Sequence, residues 1–167
     1  MLLNRRPERG APMKPPPVGT AFLLSQAGAH AAMGFADRLK ALNLKPYDAG
    51  ILRMLGSNPG LSQQTLSGLL GMFPSQLVAV LDALESRHLI ERRNQPADRR
   101  SYRLYLSRTG RKTLNEIGKL TLRLEEDLFA ALSQREKNTL QEFLRRIIAQ
   151  QEITPGVHPA YRQIGRR

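Results

Sequence analysis

Residues Leu84–Gly110 read LESRHLIERRNQPADRRSYRLYLSRTG and join a helix end, a basic hairpin and a helix start within 27 residues. Arg92 and Arg93 close one arm, Asn94, Gln95 and Pro96 supply turn residues, and Asp98, Arg99 and Arg100 open the return arm. There Tyr102, Leu104 and Leu106 alternate with Ser101, Arg103 and Tyr105, and this period of two predicts a half-buried strand. From Arg87 to Lys112 nine Arg or Lys face only Glu91 and Asp98, a local excess of seven positive charges in a chain whose formal charge is +12. Basic runs are often solvated faces and nothing more. Concentrated on a hairpin that follows two short helices, they suit phosphate contact and a narrow, strongly negative groove.

Upstream, Pro46 suits the first turn of a helix running to about Leu55, and Asn58-Pro59-Gly60 breaks it. Ser62 is an expected N-cap, with Leu61 and Leu66 as a hydrophobic staple around a short helix that Gly71 ends. Pro74 opens the next helix, with Leu77, Val80, Leu81 and Leu84 inward and Ser75, Gln76, Ala79, Asp82 and Glu85 outward. Two short helices joined by a glycine-containing turn and followed by a hairpin make a winged helix-turn-helix, whose second helix presents its N-terminal residues to base edges in the major groove. Ser75 and Gln76 are the base-reading candidates, since hydroxyl and amide can match donors and acceptors there; surface solvation explains them equally simply.

Outside this unit, Leu23, Ala27, Ala31, Phe35, Leu39 and Leu42 repeat every three or four residues, predicting an amphipathic helix over 20–42 with a small-residue middle. Leu114, Ile117, Leu124, Leu128 and Ala131 keep the same alternation, with Thr121 in the gap, over 109–132. Ser133 and Glu136 form a capping box before a last helix carrying Leu140, Phe143, Leu144, Ile147 and Ile148 to about Gln151. These helices lie outside the winged unit, and their expected use is a homodimer interface; folding back as intrachain core is the alternative. The fold class is therefore mainly α with a small β-hairpin. The expected division is a flexible basic arm over 1–19, rich in proline with four cations against Glu8; a domain over 20–151, with the winged unit at about 46–107 between dimerisation helices at 20–43 and 108–151; and an irregular tail over 152–167.

Composition narrows the function. With 41% hydrophobic and 24% charged residues the chain is globular in class, and the positive charge favours an anionic partner, nucleic acid or an acidic membrane surface. No apolar run approaches a membrane span, the proline-containing N-terminus has neither the apolar core of a secretory signal nor the helix of a transit peptide, and a cytoplasmic protein is expected. The absence of cysteine excludes disulfides, zinc–thiolate sites and thiol redox sensing. His30, His88 and His158 lack metal-site spacing, and there is no phosphate loop, nucleophile elbow or catalytic carboxylate pair, so neither cofactor, metal nor enzymatic activity is expected.

The chain resembles the MarR family of bacterial transcriptional regulators over about residues 20–151. The residues that carry the likeness are Asn58-Pro59-Gly60, Leu61-Ser62-Gln63-Gln64-Thr65-Leu66, Leu84-Glu85, Leu89-Ile90, Arg92-Arg93, Asp98-x-Arg100 and Leu106-Ser107-x-x-Gly110. The last two match the family's wing signature and the start of its long dimerisation helix. The resemblance implies a homodimer on a pseudo-palindromic operator, usually repressing, with Arg100 in the minor groove and Asp98 orienting the wing. The candidate DNA contacts are Ser62, Gln63, Ser75, Gln76, Ala79, Arg92, Arg93, Arg99, Arg100 and Arg103. It also implies a pocket for a small phenolic or anionic aromatic effector between the dimerisation and DNA-binding parts, for which His30, Phe35, Tyr47 and Met54 are candidates; ordinary packing accounts for them as well. Three positions depart from the family pattern. His88 stands where glycine is common, Ala79 where a long polar residue is, and Lys45 where a capping Ser or Thr is. A ligand-independent architectural protein that coats DNA with little base readout is the competing function.

Overall fold

The computed structural model describes residues 18–95, 98–158 and 161; at 95 and 98–101 it describes the backbone alone. Residues 1–17 of the expected arm over 1–19, and the turn residue Pro96, lie outside the described residues. Helix α1 spans Thr20–Leu39 and tightens into a 3-10 turn, Lys40–Leu42, that ends at Asn43 in the left-handed region. Helix α2 is Pro46–Ser57, β1 is Leu61–Ser62, α3 is Gln63–Leu70 and α4 is Pro74–Ser86. Strands β2, Ile90–Gln95, and β3, Asp98–Leu106, form the hairpin, and α5, Arg108–Leu128, and α6, Gln134–Gln150, complete the chain.

The local signals act as their chemistry dictates. Ser62 Oγ accepts from Thr65 N at 3.0 Å to start α3, and Gly71, at φ 63°, ends it in a left-handed turn that other residues enter at a cost. At Ser133 the hydroxyl accepts from Glu136 N while the Glu136 carboxylate accepts from Ser133 N at 2.8 Å, closing the reciprocal cap of α6. Lys45 gives α2 no side-chain cap; Asp48 supplies one instead, its carboxylate accepting from Lys45 N at 2.8 Å.

The three strands form one antiparallel sheet in the order β1-β3-β2, with Leu61 opposite Leu104 and Ile90 opposite Leu106. The two-residue β1 was not foreseen, having no periodicity of its own. The alternation along β3 is right for Leu104 and Leu106, which are buried, whereas Tyr102 lies beyond the core and is exposed. Against the sheet pack α2, α3 and α4 through Ile51, Leu52, Leu55, Leu66, Leu70, Leu77, Leu81 and Leu84, all essentially solvent-free. Among the described residues no single helix is long and apolar enough to cross a membrane.

Two features add to those expectations. The stripe foreseen along α1 is buried only at its end: Leu39 is in the core, but Leu23 and Ala27 are exposed because α1 runs past the lobe it joins. Residues 152–158, the start of the expected tail, form no long helix or strand, and the described part of the tail docks on the lobe. Val157 and Tyr161 are buried, Tyr161 Oη donates to Pro46 O at 3.0 Å, and Arg53 donates to Gly156 O.

Candidate nucleic-acid interface

The wing is held at its base by the motif that starts α5. Ser107 is buried; its Oγ accepts from Gly110 N at 2.9 Å and donates to His88 O at 2.5 Å, and its own N–H bonds Leu89 O. A Cβ at position 110 would lie 1.8 Å from Leu89 O, so only glycine lets α5 pass this close to the strand entering the hairpin. His88 occupies the left-handed region at φ 55°, and the turn closes with His88 N and Leu89 N bonded back to Glu85 O and Leu84 O. The departure at 88 thus keeps the glycine geometry without the glycine.

The helices α3 and α4 meet at 112° across a short break, within the range of helix-turn-helix units. Helix α4 buries Leu77, Leu81 and Leu84 and leaves Ser75, Val78, Ala79, Asp82, Ala83 and Ser86 exposed. Gln76 is half-buried: its Oε1 is turned inward and has no hydrogen-bond partner among the described residues. Ser62 spends its hydroxyl on the α3 cap, and Gln63, the first residue of α3, is half-buried.

The cations of the hairpin divide. The Arg92 guanidinium turns toward α4, where it bonds Asp82 Oδ1 at 2.6 Å and the Glu85 carboxylate, which also accepts from Arg92 N. Burial works against its charge, but the hydrogen bonds and charges of Asp82 and Glu85 outweigh that and hold its pKa above the ordinary value. Arg93 stays exposed, bonded to Glu91 at 2.9 Å and lying 4.5 Å from the centre of the Tyr105 ring. Arg103, opposite it in the ladder, is half-buried and reaches Gly60 O at 3.4 Å. The side chains of Asp98, Arg99 and Arg100 lie outside the described residues; their backbone belongs to β3.

The model of the MarR family matches residues 48–102, from the first turn of α2 to Tyr102 in the wing. The "Putative transcriptional regulatory protein for hcr operon" of Thauera aromatica is 37% identical over 106 residues, which cover 64% of this chain and 64% of the relative. A solved structure of the transcriptional repressor CouR bound to a 23-mer DNA duplex is 33% identical with a TM-score of 0.68, covering 77% of this chain and 92% of that one. The chain belongs to the MarR family. A mutant of Escherichia coli MarR, only 19% identical, superposes with a TM-score of 0.70 over 80% of this chain and 99% of its own, and shows how far the MarR fold outlasts sequence likeness. The chain spans just under two thirds of the length of its Thauera relative.

Within this MarR chain the four effector candidates do not converge. Phe35 lines a cavity of about 500 Å³ bounded by α1, α2, α5, Ile148 of α6 and the tail, together with Gly50, Arg53, Ile117, Leu124 and Tyr161. Tyr47 lines a different cleft, of about 530 Å³, between the start of α2 and α4, beside Lys40, Lys45 and Arg87. Met54 packs against the core, and His30 is exposed on the half of α1 that leaves the lobe. Sequence reasoning missed Tyr161, whose hydroxyl would sit 2.5 Å from a Cβ at position 50. Its only signal was an aromatic residue among tail polars, and burial raises the pKa of its phenol. Among the described residues no cluster of potential ligands could hold a metal ion.

Proposed function

We propose that this MarR-family protein is a homodimeric transcriptional regulator that binds a pseudo-palindromic operator, represses from it, and releases it when a small ligand binds. The observation that carries the DNA reading is the open face of α4, standing beside a wing whose base is locked by Ser107 and Gly110. The winged geometry puts that face in the major groove and the hairpin over the adjoining phosphates. Arg93 and Arg103 then lie near the backbone, Arg100 reaches the minor groove with Asp98 orienting it, and Arg99 adds charge. Arg92, held by Asp82 and Glu85, fixes the wing to α4 instead of touching DNA. Ser75 contributes a hydroxyl at the helix start.

Dimerisation is supported by apolar side chains left in water at both ends of the chain: Phe22, Leu23 and Leu24 on α1, and Phe143 and Ile147 on α6. A twofold dimer offers two recognition helices to half-sites about 34 Å apart. The effector site is the cavity between α1, α2 and α5, because it is lined by all three flanking helices, α6 through Ile148, and by α2 of the DNA-binding lobe. A ligand there releases DNA only through unequal affinity for two lobe spacings, a population shift. The reading assigns the protein no catalysis or cofactor and places it in the cytoplasm.

One observation favours the architectural alternative: α4 carries no Lys or Arg. Selection of bound fragments from the source genome, at near-physiological salt where phosphate attraction is weakened, separates the two. Recovery of one palindromic sequence, bound about 10³-fold or more above random duplex, is the expected result. Recovery of unrelated fragments at equal affinity would replace the regulator with the architectural protein.

A further inference from the structure

Residues Phe73–Ser86, FPSQLVAVLDALES, include no Lys, Arg or His. The commonest specific contact in a major groove, a guanidinium or ammonium on guanine O6 and N7, therefore cannot come from this helix. Its exposed acid, Asp82, is already paired with Arg92 at 2.6 Å. The bidentate recognition of adenine by an amide needs both polar atoms of the side chain, yet the Oε1 of Gln76 is buried. Ser75 is the one short polar group left at the start of the exposed face.

What the helix does expose there is apolar. Phe73, the residue before the first turn, is 57% exposed while Met72 beside it is in the core; Val78 is 38% exposed and Ala79 is exposed as well. Pro74 sets the first helical position, and the extended backbone of Phe73, at φ −66° and ψ 140°, leaves its ring outside the lobe. Farther along the same face Ala83 and Ser86 are short, so the helix backbone can come close to a groove floor. The major-groove edge of DNA carries one apolar substituent, the C5-methyl of thymine, and alanine and phenylalanine are among the side chains that contact it. We infer that α4 reads thymine methyl groups by van der Waals contact through Phe73, Val78 and Ala79, while the arginines of the wing supply the attraction to phosphate. This inference rests on the DNA-binding reading above. It gives the family departure at Ala79 a use, since a long polar side chain there would hold the helix off the methyls. It also divides the labour as a protein–DNA interface ordinarily does, with phosphate contacts positioning and base-edge contacts specifying.

Replacing thymine by uracil deletes the methyl and changes no hydrogen-bonding group. The test uses the full chain and the tightest duplex it selects from a random pool, with half-site thymines exchanged for uracil one at a time and affinity read by fluorescence anisotropy. At one or two thymines per half-site the exchange should weaken binding about fourfold, the worth of one buried methylene-sized group. Exchange in both half-sites should weaken it by about the square of that. In the Phe73→Ala or Val78→Ala protein, each folded by circular dichroism because these side chains are exposed, one of these uracil penalties should vanish. Uracil tolerated at every position, on a duplex that still binds tightly, would overturn methyl reading and leave the regulator standing. Penalties unchanged in both variants would overturn the assignment to α4. Selection of no duplex at all would overturn the DNA reading together with the inference.

Discussion

The winged lobe and the helices that flank it both carry apolar periods, and those periods end in different surroundings. In the lobe, Ile51, Leu52, Leu66, Leu77, Leu81 and Leu104 from four elements close on one another and exclude water. Helix α6 is strongly amphipathic, yet it has no buried residue: Phe143 is 51% and Ile147 42% exposed. Its half-buried residues Leu140 and Leu144 line a cleft shared with Leu122, Glu125 and Glu126 of α5, while Phe143 and Ile147 face solvent. An apolar period therefore states that a face will be buried and leaves open which molecule buries it. The lobe is completed by its own chain, whereas among the described residues the outer stripe of α6 is left open, the face that the proposed dimer would cover.

The comparison breaks first at the lobe. Leu77→Ala should cost about 2–5 kcal/mol in urea denaturation, through lost transfer energy and an unfilled cavity, and the loss should not depend on protein concentration. Next comes the open face. Phe143→Glu with Ile147→Glu should remove on the order of 2 kcal/mol or more of dimer free energy, read as a shift to monomer in sedimentation velocity. The lobe should then lose only the stability that association lends it by mass action. A double variant that stays dimeric at low micromolar concentration would show that α6 is finished by its own chain after all.

The same contrast explains what could be read in the sequence. Caps and turns are local chemistry, so Ser62, Gly71 and the Ser133–Glu136 pair act in the structure as their neighbours in sequence imply. Helix-forming periods were legible for all six helices, and their partners were not. Arg92 looked like another basic wing residue because its charge is all that the sequence states; the packing of α4 against β2 brings Asp82 and Glu85 to it. Gly110 carried a family motif whose reason, the carbonyl of Leu89, appears only when two distant backbones meet. The tail sequence predicts irregular chain and no partner, but Tyr161 finds a seat over Gly50, a contact between residues 111 apart that no local pattern encodes. His30, Phe35, Tyr47 and Met54 were grouped by chemistry, and the helices carry them to different surfaces.

Arg92 sits on the rim of the closed lobe and tests how far closure extends to charge. Its partners are partly exposed, so Arg92→Ala should cost only about 1 kcal/mol. Because its guanidinium is engaged within the fold, the salt dependence of DNA binding should keep its slope, whereas Arg93→Ala should lower the slope by about one phosphate contact. A fall of one unit in the Arg92 variant would mean that Arg92 leaves Asp82 and Glu85 for the backbone of DNA.

The smallest effect belongs to Asp48, the one buried carboxylate among the described residues of the lobe. Asp48 lies at the third position of α2, accepting from Lys45 N, with the charges of Arg87 and Lys45 nearby. Burial raises its pKa; the Lys45 N–H bond and then the Arg87 and Lys45 charges pull it down, and burial wins. The folded protein therefore holds this proton more tightly than the unfolded chain does. Its contribution favours folding fully below the unfolded-state pKa, and is lost as pH rises through the higher folded-state value. Asp48→Asn keeps an oxygen to accept from Lys45 N and cannot ionise. Thermal melts should find the variant near parity with the parent in acid. As pH rises past the carboxylate range it should match or exceed the parent, by less than the about 1 kcal/mol that a cap is worth. The opposite trend, a variant that falls behind the parent as pH rises, would mean that Lys45, Arg87 and the start of α2 stabilise the carboxylate beyond what its burial costs, and that the lobe's closure is electrostatic at this corner as well as apolar.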